Sequence, residues 1–74
     1  MSNTASLQSQ ITVNGVARPR ANVSSIADLV TELQLDMRKV AIEQNLKIVP
    51  RSAYATTRIC DGDAIEIVGF IGGG

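Results

Sequence analysis

One stretch of this chain carries helical spacing, and the segments around it alternate. Ile26, Leu29, Val30 and Leu33 stand at i, i+3, i+4 and i+7, which is one apolar stripe on a helix expected over residues 25–34. Ser24 or Ser25 supplies an N-cap, and Asp28, three residues after Ser25, completes an approximation to a capping box with Asp in place of Glu. Such a stripe is useful only against another apolar surface, and strands must provide it.

The strands are legible from their period. Gln10-Ile11-Thr12-Val13 alternates, Asn14-Gly15 is a strong short hairpin signal, and Val16-Ala17-Arg18 returns as far as Pro19, which has no N–H for a ladder. After the helix, residues 39–44 alternate again with Val40 and Ile42 on one face. Residues 46–49 form a short further strand stopped by Pro50. Residues 52–56 read as a single helical turn, Asp61-Gly62-Asp63 as a tight turn, and residues 64–70 as the last strand. In that strand Ile65 and Ile67 face the helix with Ile11, Val13, Val40 and Ile42, while Glu66, Val68 and Phe70 face away. With 74 residues there is room for one α+β domain: a mixed sheet of four to five strands packed on one main helix, a β-grasp arrangement. A split βαβ fold is the alternative, and the missing second full helix counts against it. Residues 1–9 read as a flexible N-terminal extension, 10–71 as the domain and 72–74 as a flexible tail.

Composition removes several classes of function. Seven Lys plus Arg balance seven Asp plus Glu, and the aromatic residues are Tyr54 and Phe70, so there is neither a basic field nor a stacking platform for nucleic acid. There is no His, and Cys60 is single, so a zinc site, a disulfide framework and a hydrolase dyad or triad all lack their parts. No run is long and apolar enough for a membrane span or a signal-peptide core, which places the expected site of action in the cytoplasm. Cys60 is expected to be a small, half-buried hydrophobe, Asp61 and Asp63 turn residues, and Tyr54 a ring anchor with its hydroxyl exposed. Arg18, Arg20, Lys47 and Arg51 read as surface charge.

The chain then stops in Gly72-Gly73-Gly74, directly after Ile71. Three glycines add nothing to stability, since glycine loses the most backbone entropy on ordering, but a tail without Cβ atoms can thread a narrow channel into another protein's active site. The group at its tip is the α-carboxylate of Gly74. Ionised at neutral pH, it resists nucleophiles and needs activation, most naturally as an acyl-adenylate. The chain has no Gly-rich phosphate loop for that step, so activation falls to a partner. Val68 and Phe70, on the face turned from the helix, and Ile71 are the candidate partner contacts.

Particular segments carry a resemblance. Val40-Ala41-Ile42-Glu43-Gln44-Asn45, Ile48-Val49-Pro50-Arg51-Ser52 with Tyr54, Asp61-Gly62-Asp63, Ile65-Glu66-Ile67-Val68 and the terminal glycines make residues 11–74 resemble the thiamine-biosynthesis sulfur carriers, the ThiS family of ubiquitin-like β-grasp proteins. The resemblance implies parallel first and last strands at the centre of the sheet. It also implies a carrier and cosubstrate in place of an enzyme, with no stably bound cofactor. An E1-like, ThiF-like adenylyltransferase would use ATP and magnesium to adenylate Gly74. A sulfur donor such as a cysteine desulfurase would then give the thiocarboxylate, and a ThiG-like thiazole synthase would receive the sulfur. Gly72 and Gly73 would give the tail access, and the free protein would be a monomer. The small subunit of molybdopterin synthase and a ubiquitin-like protein modifier are the alternatives, having the same fold and terminal glycines.

Overall fold

The computed structural model describes residues 9–69. Strands β1 (Gln10–Val13) and β2 (Val16–Pro19) are followed by helix α1 (Ile26–Glu32), then β3 (Val40–Gln44), β4 (Lys47–Val49) and β5 (Ala64–Gly69). The sheet order is β2-β1-β5-β3-β4, with β5 parallel to β1 and antiparallel to β3. The expected central pair, first strand beside last, is therefore present. Two hairpins flank it and share one turn design. Asn14 and Gly15 have φ of 52° and 84°, and Asn45 and Leu46 have φ of 52° and 71°. Two left-handed residues between directly paired strand ends, Val13 with Val16 and Gln44 with Lys47, match the strand twist of two-residue hairpins.

Helix α1 lies on one face of this sheet, and each end of it is closed by specific bonds. Ser25 caps it, its Oγ accepting from the Asp28 N–H at 3.1 Å, while Asp28 Oδ2 accepts from the N–H groups of Ser25 and Ser24. The next two open donors, Ile26 N–H and Ala27 N–H, bond the carbonyls of Thr57 and Tyr54, which docks the 51–59 segment onto the helix start. At the other end Gln34 turns left-handed (φ 60°), its N–H reaching Thr31 O and that of Leu35 reaching Val30 O. These are the two bonds of a Schellman closure, with Gln where Gly is usual. The helix thus stops at Glu32, short of the expected residue 34.

Ile26, Leu29 and Val30 are buried against Ile11, Val40, Ile42, Val49 and Ile65, and Leu33 packs at the margin. Ile65, at the centre of the sheet, is fully enclosed. The Tyr54 side chain departs from expectation: it is 2% exposed, and its hydroxyl donates to the Val40 carbonyl at 3.3 Å. The irregular segment lies across the core with its ring inside, so the hydroxyl needs a protein partner and has one. Lys39 leaves the strand for a 3-10 turn, Met37–Lys39, capped by Asp36. The expected 52–56 turn is a 3-10 turn at Arg51–Ala53.

Candidate functional site

The last described strand is the one that leads to the glycines, and polar side chains anchor it at its start. The turn before it closes with Asp63 N–H on Cys60 O, and Gly62 takes φ +87°, a conformation a side chain would strain. The Asp63 carboxylate then gathers three donors. Oδ2 accepts from Gln44 Nε2 and from Cys60 N–H, both at 2.9 Å, and Oδ1 accepts from Asn45 Nδ2 at 3.0 Å. Partial burial by itself would raise the pKa of Asp63, but the hydrogen bonds from Asn45, Cys60 and Gln44 outweigh it and hold the carboxyl below its ordinary value. Asn45 also accepts from Ala64 N–H at 2.9 Å and donates its own N–H to Ala64 O, so the start of β5 is tied to the β3–β4 turn. Asp61 and Asp63 are turn residues, as expected. The described residues contain no cluster of His, Cys, Asp and Glu suited to a metal.

Among the described residues, no element covers the face of the sheet opposite α1. Strand register places Val68 beside Ala41 and Glu66 beside Glu43, with Ile48 next to Glu43 on β4. Together these side chains and Ile42 line a shallow groove of about 340 Å³. Val68 is 60% exposed and Ile48 76%, large apolar side chains facing solvent side by side. The two carboxylates stand directly across from each other on neighbouring strands, and among the described residues neither has an ion-pair partner. Like charges so placed repel. The surface is therefore apolar with an unneutralised acidic centre, suited to side-chain contact with another protein.

Among the residues expected to contact partners, Val68 lies on this open face. Phe70, Ile71, Gly72, Gly73 and Gly74 lie outside the described residues. Ile48 and the Glu43–Glu66 pair escaped the sequence reading. The available signal was parity, since Val49 points inward and its neighbour Ile48 must point outward. Cys60 is exposed, not half-buried: it sits at the rim of the Asp-Gly-Asp turn, where its N–H is held by Asp63 and its side chain is left outside the core. Two of the surface cations are structural. Arg20 pairs with Asp61 at 2.6 Å, and Arg51 donates to the carbonyls of Met37 and Arg38.

Comparison with known proteins adds a second line of evidence. The ThiS family model matches residues 11–74. The chain is 38% identical over 55 residues to the sulfur carrier protein ThiS of Bacillus subtilis, which spans 74% of this chain and 83% of that protein. It is 48% identical over 65 residues to a thiazole synthase of Paramagnetospirillum magneticum, covering 88% of this chain but 20% of that protein's length. The crystal structure of a thiamine biosynthesis protein (ThiS) from Geobacter metallireducens superposes with a TM-score of 0.74 at 31% identity, over 88% of this chain and 99% of the other. A match from Ile11 to Gly74, joined to a helix laid on a five-stranded mixed sheet whose first and last strands are parallel, places the chain in the ThiS family.

Proposed function

We propose that this protein is a sulfur carrier of thiamine biosynthesis, and that its working group is the α-carboxylate of Gly74. The observation that carries this reading is the family match running through Gly74, supported by likeness to a carrier of similar length in Bacillus subtilis. The chain is a cosubstrate. A ThiF-like adenylyltransferase supplies ATP and magnesium, and the Gly74 carboxylate oxygen attacks the α-phosphorus, releasing pyrophosphate. A sulfur nucleophile then displaces AMP. If the donor is a persulfide, such as a cysteine desulfurase forms, the first product is an acyl disulfide, which a thiol reduces to the thiocarboxylate. A ThiG-like thiazole synthase takes the sulfur and regenerates the carboxylate. Two relatives named thiazole synthase, 48% and 34% identical, each match this chain over a fifth of their own length, which supports a working partnership between carrier and synthase. The open face around Val68 and Ile48 docks the carrier, and Gly72 and Gly73 admit the tail.

The test is intact-protein mass spectrometry after incubation with the adenylyltransferase, ATP, magnesium and a sulfur donor. Replacement of one oxygen by sulfur adds about 16 Da, located on the Gly74 peptide and absent when Gly74 is deleted. No gain, under conditions that convert an established carrier, overturns the reading. Covalent conjugates to other proteins on denaturing gels would favour a protein modifier instead.

A further inference from the structure

Asn14 is half of the β1–β2 turn, but its side chain does more than the turn requires. The parallel ladder between β1 and β5 advances through Thr12 N–H on Asp63 O at 3.0 Å and Asn14 N–H on Ile65 O at 2.8 Å. At Asn14 the backbone turns left-handed and leaves β5 to enter the hairpin. The carboxamide continues in its place: Ile67 N–H donates to Asn14 Oδ1 at 2.7 Å, and Asn14 Nδ2 donates to Ile67 O at 3.1 Å. Both main-chain groups of Ile67 are thus held by one side chain, which extends the ladder by a step that has no strand behind it. On the other side β3 holds β5 as far as Gly69, opposite Val40.

We infer that Asn14 is a positioning residue, whose carboxamide fixes the last two-sided point of β5 among the described residues and so aims the end of the strand from which the sequence runs on to Gly74. The inference rests on the sulfur-carrier reading. Docking is assigned to the open face, which Asn14 does not line, so a freed Ile67 leaves recognition intact and disturbs the placement of the carboxylate against ATP. Loss of placement lowers the rate of the bound complex and not its formation, because a reacting group held in one geometry reacts faster than one sampling many.

The discriminating variant is Asn14→Gly. Glycine adopts the same left-handed turn and removes only the carboxamide. The control is Asn45→Gly, at the equivalent turn position of the second hairpin, which removes the side-chain bonds to Ala64 N–H and Asp63 and leaves the Ile67 contact in place. Full-length proteins are compared by amide hydrogen exchange and by ATP–pyrophosphate exchange with a ThiF-like adenylyltransferase. The expected result for Asn14→Gly is exchange accelerated about tenfold or more at the Ile67 amide relative to those of β3, a kcat lower by about tenfold, and KM for the carrier within about twofold of the parent. Asn45→Gly keeps its kcat. An Asn14→Gly protein with unchanged kcat, or an Asn45→Gly protein that loses kcat equally, overturns the positioning role. If the parent protein supports no pyrophosphate exchange, the carrier reading itself fails, a distinct outcome that takes the positioning role with it.

Discussion

Replacing Asp63 by Asn isolates the polar knot at the start of β5. The side chains are nearly isosteric, so the substitution changes hydrogen-bonding capacity with little change of volume. In the parent, one carboxylate accepts from Gln44 Nε2, Cys60 N–H and Asn45 Nδ2. Three donors converge, and the amide of Asn brings an NH₂ group where one of its two oxygens stood. If the NH₂ takes the Oδ2 site, two donors lose their acceptor; if it takes the Oδ1 site, one does, and the remaining bonds lose their charge. A hydrogen bond to a charged group contributes about 1.5–3 kcal/mol, and the lower end applies to this half-exposed site, so the expected cost is about 2–3 kcal/mol. For a domain of this size that lowers Tm by about 8–24 °C. Urea denaturation at neutral pH, with m unchanged, measures it. The pH dependence supplies an independent check. Because the folded pKa of Asp63 is depressed, its stabilisation is complete above the unfolded value of about 3.9 and is lost as pH falls through the lower folded value. The stability gap between parent and Asp63→Asn must therefore be constant from neutral pH to about pH 5 and narrow below about pH 4. A cost under about 0.5 kcal/mol, or a gap that persists unchanged in acid, would refute the account.

Substitutions at four further positions test other parts of the structure. Tyr54→Phe strands the Val40 carbonyl and is expected to cost about 1 kcal/mol by urea denaturation, against about 3–5 kcal/mol for Tyr54→Ala, which also empties the ring site. Val68→Asp on the open face leaves folding within about 0.5 kcal/mol but raises the carrier KM for adenylation by about tenfold or more, since it adds a third negative charge beside Glu43 and Glu66. Leu46 is 88% exposed and held at φ 71°, so Leu46→Gly relieves strain without losing packing and is expected to raise stability by about 1 kcal/mol. Glu66→Gln removes the cross-strand repulsion with Glu43 and stabilises the free protein by a few tenths of a kcal/mol, an effect that shrinks as salt is added to the melt.

What the sequence disclosed depended on whether each residue's type matched its backbone. Asn14-Gly15 announced its hairpin because both residues favour a left-handed turn, and Ser25 with Asp28 announced the helix start by their spacing. The second hairpin was silent: Leu46 occupies a left-handed position that leucine does not advertise, so it read as the beginning of β4. The helix end was overrun for the same reason, because Gln34 does the work usually given to glycine. Tyr54 misled through its polar end. Its local sequence has no period, and only the fold reveals that the Val40 carbonyl lies within reach of a buried hydroxyl. The candidate docking face was half legible. Val68 followed from the alternation of β5, whereas Ile48 sits in a three-residue strand whose parity against Val49 is a weak signal, and its place beside Glu43 comes from the register of β4. The link between Asn14 and Ile67 spans 53 positions, and no local pattern encodes it.

The two borders of the sheet have a consequence for how such a molecule can meet others. β4 offers three residues and β2 four, the last of them Pro19, so neither border gives a foreign strand a long run of free backbone to zip onto. The open face presents side chains to a partner, and side-chain contacts are specific to their sequence and reversible in a way that added strands are not. Short borders thus separate recognition from polymerisation: a small protein can keep an uncovered apolar surface for successive, brief encounters without templating its own aggregation.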